Sequence, residues 1–155
     1  DHDPLSRLLN RRALLHALQE VGERAEDRNL ALVFLDLDNF KQINDRHGHV
    51  IGDRVLEKFG SLLNEHVRNE DRAFRVGGDE FALLLSEAGE PDAREVVARV
   101  IDAMESNIDP LVRTLNASFG IATSSCRQEP EELLRIADEA MYQAKRSGTK
   151  IEVAA

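Results

Sequence analysis

Cysteine is almost missing from this chain: Cys126 is the only one in 155 residues. A lone thiol excludes a disulfide framework and a cysteine-based metal cluster. It suits a reducing compartment, so the expected location is cytoplasmic, with membrane anchoring left to a longer parent protein. Long hydrophobic runs are missing too. None reaches the roughly 20 residues of a membrane-spanning helix, and no signal-peptide pattern opens the chain, which argues against membrane contact by this segment. Positive charge is in deficit, with 20 Lys and Arg against 29 Asp and Glu, a net charge of −9. Binding to a polynucleotide needs a basic field, so nucleic acid is excluded as a partner, and a small anionic ligand would need cations supplied locally. Internal repeats, low-complexity tracts and linkers are absent as well. What remains is a single domain over residues 1–155, long enough for a full hydrophobic core. Because the first residue is Asp1 rather than Met, the chain reads as a fragment of a longer protein.

The elements follow from periodicity and punctuation. Asn10 caps a helix carrying Leu14, Leu15, Leu18 and Val21 on one face, and Glu23–Asn29 reads as a loop. Leu30–Leu37 (LALVFLDL) is a nearly continuous apolar run, the pattern of a central strand buried on both faces. Phe40 and Ile43 support a short helix that ends near His47-Gly48. A longer helix is expected from about Asp53, burying Val55, Leu56, Phe59, Leu62, Leu63 and Val67. Ala73–Val76 and Phe81–Leu85 read as the arms of a hairpin around Gly77-Gly78-Asp79-Glu80. A helix from Glu90, a strand over Leu115–Thr123, a last helix from Pro130 to Gly148 and an edge strand over Lys150–Val153 complete the chain. This order predicts an α+β fold, a central antiparallel-rich sheet flanked by helices, with a ferredoxin-like split β-α-β core.

The chemistry lies in the acids. Asp36 interrupts the apolar strand near its carboxyl end, and Asp79-Glu80 follow two glycines. If the first strand lies beside the hairpin, Asp36 and Asp79 meet and form a site for a hard cation held against a phosphate. Residues 36 to 53 add Lys41, Asn44, Asp45, His49 and Asp53, polar groups that a buried helix pair would not need. Each has a plainer reading. Asp36 and Asp53 can serve as helix caps, the lysines as solubilising charges, Cys126 as an inert loop thiol, and the acidic tetrapeptide as a solvated turn.

The residues Leu35-Asp36-Leu37-Asp38-Asn39-Phe40-Lys41-Gln42-Ile43-Asn44-Asp45, then Gly48-His49, Gly52-Asp53 and Arg75-Val76-Gly77-Gly78-Asp79-Glu80-Phe81, resemble those of GGDEF-domain diguanylate cyclases. Asp3 to Arg12 is similar to the family's entry segment. Ser118 to Ala122 and Ala137 to Lys145 are similar to its later strand and last helix, so the likeness runs along essentially the whole chain. The resemblance implies the palm-type fold of nucleotidyl cyclases and the condensation of two GTP into cyclic di-GMP by a homodimer, each domain holding one GTP. It implies two Mg²⁺ ions per active site, with Mn²⁺ as an alternative, held by Asp36, Asp79, Glu80 and the Leu37 carbonyl. Asp79, with Glu80 as a second candidate, would accept the proton. Asn44 and Asp53 would read guanine, and His49 would contact substrate. The backbone of Asn39, Phe40 and Lys41 would touch phosphates, Gly77 and Gly78 would make room for the nucleotide, and Lys145 would approach the triphosphate.

Arg68 and Asp71 form an RxxD pattern placed where the family binds its product for inhibition, a guanidinium and a carboxylate suited to two edges of guanine. The resemblance also implies an upstream sensor or receiver domain. Two departures stand out: Ser6-Arg7 replaces the usual Thr-Gly, and Thr149-Lys150 follows Gly148 where Arg is common. The second removes an expected phosphate contact, which Arg146 or Lys150 would have to replace. It also supports an alternative function, a catalytically weak module that binds GTP or cyclic di-GMP and regulates an attached domain.

Overall fold

The computed structural model describes residues 1–24, 29–124 and 129–154. Of the expected loop over Glu23–Asn29, Glu23 and Arg24 instead continue the first helix, while residues 25–28 lie outside the described residues, as does Cys126. In chain order the elements are β1 (Leu9–Asn10), α1 (Arg11–Arg24), β2 (Leu30–Leu37), α2 (Phe40–His47), α3 (His49–His66) and β3 (Arg72–Arg75). They continue with β4 (Glu80–Ser86), α4 (Glu90–Glu105), α5 (Pro110–Arg113), β5 (Ala117–Ser124), α6 (Pro130–Ser147) and β6 (Ile151–Val153). The six strands form one sheet in the order β1-β3-β4-β2-β5-β6. β2 lies at its centre, antiparallel to both β4 and β5, and all eight of its residues are buried. The unbroken apolar run of LALVFLDL is thereby explained, because helices cover both faces of this strand.

Alternation along β2 divides the core in two. Ala31, Val33, Leu35 and Leu37 point to the face covered by α2, α3 and α4, where Phe59 meets Phe81 edge to face at 5.0 Å. Leu32 and Phe34 point to the face covered by α1 and α6, among Leu14, Leu18, Leu133 and Met141. Leu15, expected on the buried face of α1, is exposed, since it lies past the edge of that stripe. The two-residue β1 and the one-turn α5 are too short to leave a periodic pattern in the sequence.

The entry segment is folded back on itself. Asp3 N–H donates to Leu8 O at 2.7 Å, and the Asp3 carboxylate accepts from Ser6 N–H and from the Ser6 hydroxyl at 2.7 and 2.8 Å. Arg7 sits at φ 63°. The Ser-Arg departure therefore leaves the turn in place and puts a Cβ in left-handed backbone. That conformation costs about 1 kcal/mol in a non-glycine residue, so Arg7→Gly should add up to about 1 kcal/mol of stability. Thermal unfolding should show a midpoint about 2–4 °C higher for a chain of this size. An unchanged or lower midpoint would mean that the turn carries no strain to relieve.

Candidate active site

Strand register brings the acids together. Asp36 pairs across the sheet with Glu80 on β4 and with Ser118 on β5, and Leu37 N–H donates to Asp79 O at 3.0 Å. The Asp36 side chain is nearly buried. Its Oδ2 accepts from Lys145 Nζ at 2.7 Å, whereas its Oδ1 is buried without a hydrogen-bond partner. Asp79 is held above the usual carboxylate range, first by burial and then by the Asp36 carboxylate beside it. Glu80 is also pushed up, by burial and then by Asp36, Asp138 and Asp79, and Arg11 offsets part of this. Acids with one free buried acceptor and raised proton affinity are poised to take up positive charge.

The hairpin differs from expectation in its details. Glu80 is the first residue of β4 rather than part of the tip, and its carbonyl accepts from both Val76 N–H and Gly77 N–H, at 2.8 and 3.2 Å. Neither Gly77 nor Gly78 occupies left-handed backbone, and a Cβ at Gly78 would meet open space. The glycines are therefore not demanded by a tight turn; they leave the surface bare beside Asp79. Arg75 holds the tip in place. Its guanidinium donates to Gly77 O and Gly78 O, the shortest bond being 2.7 Å, and to Asp3 Oδ2 at 3.1 Å. The entry segment thus anchors the loop that carries Asp79, a role for Arg75 and Asp3 that becomes visible only in the tertiary structure.

Helix α6 delivers Lys145, and it does so because β5 is thin where the helix crosses it. A Cβ on Gly120 would lie 2.2 Å from Met141 N and 2.4 Å from Ala137 O. The bare strand lets the helix backbone settle close to the sheet, which places the Lys145 ammonium on Asp36. Lys145 is held above its ordinary value chiefly by that bond. A fourth carboxylate, Asp38, to which no sequence motif assigns a role, lies 3.9 Å from Lys145 Nζ. The Ser118 hydroxyl lies 3.0 and 2.8 Å from the two Asp38 oxygens. Burial is the main cause that pushes Asp38 up. Alternation along β2 could have placed Asp38 on the same face as Asp36, but Ser118 needed the β2–β5 register.

A second group gathers where β2 runs into α2. The Asn39 side chain ties this junction to the chain before β5, donating to Thr114 O at 2.6 Å and accepting from Asn116 N–H at 2.9 Å. No side chain caps the first turn of α2, at Phe40 and Lys41. The next helix begins at His49, so Asp53 lies on its exposed second turn; the expected start at Asp53, and with it the N-cap role, is corrected. Gly48, at φ 89°, makes the corner between the two helices and moves the helix start four residues earlier. Asn44 packs against Gly52, where a Cβ would lie 1.7 Å from Asn44 Oδ1. That oxygen is buried and has no partner, and Asp53 is the next residue along. His49 and Lys41 are exposed.

Arg68 and Asp71 stand apart from both groups. The Arg68 guanidinium donates to Asp71 and to Ser86 O, and Asp71 also accepts from Arg68 N–H and Ser86 N–H. The Asp71 side chain has no exposed surface, whereas Arg68 keeps an exposed edge. Ser86 and Glu80 are opposite ends of β4, about 20 Å apart at 3.3 Å per residue. Neither candidate substitute for the expected arginine reaches the acids: Arg146 stacks on Tyr142 at 5.8 Å, and Lys150 pairs with Glu105 at 3.3 Å. Thr149 donates to Glu152 instead. A groove of about 590 Å³ between α3 and the α4–α5 turn is lined by neither group.

The donor set fits a hard cation. Asp36 Oδ1 is a buried acceptor lacking a donor, and its neighbours are carboxylates. Among the described residues no three His, Cys, Asp or Glu side chains form a ready cation cage. Among the same residues no helix is long and apolar enough to cross a membrane.

The family model described as "Diguanylate cyclase, GGDEF domain" matches residues 1–150. Diguanylate cyclase DgcS of Shewanella oneidensis is 36% identical over 149 residues, which are 94% of this chain and 50% of that protein. This chain therefore spans half the length of that relative. Among solved structures, diguanylate cyclase SiaD from Pseudomonas aeruginosa, in complex with its activator SiaC, superposes with a TM-score of 0.89 at 36% identity, covering 99% of this chain and 61% of that one. The GGDEF domain of DgcB from Caulobacter crescentus, in complex with c-di-GMP, gives a TM-score of 0.86 at 26% identity, covering 99% and 95%.

Proposed function

The chain belongs to the GGDEF-domain diguanylate cyclase family, and we propose that it condenses two molecules of GTP into cyclic di-GMP. The observation that carries this reading is the group of Asp36, Asp79 and Glu80 at one end of the sheet, with Asp36 Oδ1 unpaired and an ammonium on Oδ2. Such a site needs positive charge and offers carboxylates for it, the requirement for handling a triphosphate. Asp36, Asp79, Glu80 and the Leu37 carbonyl would hold two Mg²⁺ ions, or Mn²⁺ in their place. When bound, these ions neutralise the triphosphate and lower the pKa of the attacking hydroxyl.

Asp79 takes the proton of the 3′-hydroxyl, with Glu80 as the alternative acceptor. The 3′-oxygen bonds to the α-phosphorus of the other GTP as the bond from that phosphorus to the bridging oxygen breaks, and pyrophosphate leaves. Two such steps close the ring. The unpaired Asn44 Oδ1 and the exposed Asp53 carboxylate bind guanine, the latter accepting from N1–H and N2–H, with His49 at the rim. The uncapped first turn of α2, over Asn39, Phe40 and Lys41, offers amides to phosphate. Gly77 and Gly78 leave room beside Asp79, and Lys145 supplies a cation to the phosphates.

Each domain holds one GTP, so the reaction needs a homodimer, brought together by an upstream sensor or receiver domain in a longer, cytoplasmically active protein. Incubating the purified chain with GTP and Mg²⁺ across a range of protein concentrations tests this. Cyclic di-GMP should form at a rate per domain that rises with concentration; no product where the domain is dimeric would overturn the reading.

Product binding at the RxxD pattern falls to the exposed edge of Arg68, with Asp71 as its buried anchor. Titration of cyclic di-GMP into the wild type and Arg68→Ala should show the affinity lost in the variant, and an unchanged affinity would dismiss Arg68 as a ligand. Asp71→Ala strips several donors of their acceptor and should cost about 2 kcal/mol. In a ligand-free melt that is a midpoint about 4–8 °C lower. A midpoint equal to wild type would show that the carboxylate is not a structural anchor.

A further inference from the structure

We propose that Asp38, seated by Ser118, is the positioning residue for Lys145, receiving its ammonium when Asp36 turns to another cation; this rests on the nucleotide reading of the site. Lys145 Nζ lies 2.7 Å from Asp36 Oδ2 and 3.9 Å from Asp38 Oδ1, so a small swing of the side-chain end transfers it. The transfer follows from charge. A carboxylate with one buried oxygen unpaired and the other on an ammonium holds a second cation only by weakening its hold on the first. Without a nearby acceptor the ammonium would leave for solvent, and the site would lose its phosphate-binding charge when it is needed.

Asp38 is built to prevent that. The buried Ser118 hydroxyl touches both of its oxygens, and Asp38 N–H donates to Asn116 O at 2.8 Å. The carboxylate is therefore fixed from the β5 side and reached by Lys145 from α6. Its side chain is partly open, at 29% exposure, so it can serve an ammonium that also faces a ligand. Ser118 and Asp36 are direct cross-strand partners, so the donor and receiver carboxylates are held by one piece of sheet.

The test is a double-mutant cycle on the whole chain, using calorimetric binding of a GTP analogue that cannot release pyrophosphate, with and without Mg²⁺. Asp38→Asn keeps the shape and should weaken binding in Mg²⁺ about tenfold, the scale of one charge-assisted hydrogen bond. Ser118→Ala should shift affinity in the same direction by less. In turnover, the Asp38→Asn loss should fall on KM rather than kcat. In a Lys145→Ala background Asp38→Asn should change nothing further, because Asp38 acts through the lysine. Equal binding by wild type and Asp38→Asn, or full additivity with Lys145→Ala, would overturn the inference while leaving the nucleotide site standing. Failure of the wild type itself to bind the analogue would overturn the nucleotide reading and this inference with it.

Discussion

Asp79→Asn is expected to stop cyclic di-GMP formation and to raise the melting temperature of the ligand-free chain in the same protein. The first effect follows from its two proposed roles. A carboxylate that holds a cation and accepts the hydroxyl proton cannot be replaced by an amide, and the loss should be about 10³-fold or more in turnover. The second effect follows from its neighbours. Asp79 lies beside Asp36, and burial and that charge together raise its proton affinity. The folded chain therefore holds the Asp79 proton more tightly than the unfolded chain does. Stability then falls as pH rises from the ordinary carboxylate range through the raised value, and the penalty persists at neutral pH. Asparagine has no charge to lose, so the variant should melt higher than wild type at neutral pH and match it more closely in acid. Melting curves at several pH values, beside the turnover assay, check both effects. Retained turnover in Asp79→Asn would remove this residue from the chemistry, and a lower melting temperature at neutral pH would show that the acidic cluster carries no repulsion.

Gly120→Ala should cause the largest loss of stability, about 3 kcal/mol or more, because the added methyl meets backbone rather than flexible side chain. Met141 N and Ala137 O cannot swing away; helix α6 must move outward as a body. The melting temperature should drop by about 6–12 °C at 2–4 °C per kcal/mol. Displacement of α6 also carries Lys145 away from Asp36, so in the protein that remains folded the affinity for nucleotide should fall. Melting and calorimetric binding read the two effects separately. A variant as stable as wild type would show that α6 can repack without cost.

Much of this was legible in the residues. The apolar run over β2 announced a central strand, Pro130 marked the start of α6, and Gly148, at φ 71°, marked its end. The α+β class and the antiparallel-rich sheet follow from the order of elements, and the family resemblance from motifs spread along the chain. Asp53 is a good capping residue in sequence and so points to a helix start there, whereas the corner at Gly48 already allows helix from His49. Leu15 fits the apolar period yet is exposed, because a helical stripe has an edge that periodicity alone does not locate.

The sequence by itself determined the kind of chemistry: acids near glycines, a polar stretch after a buried strand, and a net charge of −9. These are properties of side chains and their local order, and they survive whatever the fold does with them. Only the tertiary structure decided which groups meet. Strand register set Asp36 between Glu80 and Ser118, and the missing side chain of Gly120 let α6 bring Lys145 onto Asp36. Burial seated the Asp71 carboxylate beneath the Arg68 guanidinium, and Arg75 tied the loop of Asp79 to the entry segment. Pairings of this kind depend on distances between residues far apart in sequence, which only the closed sheet and its packed helices set.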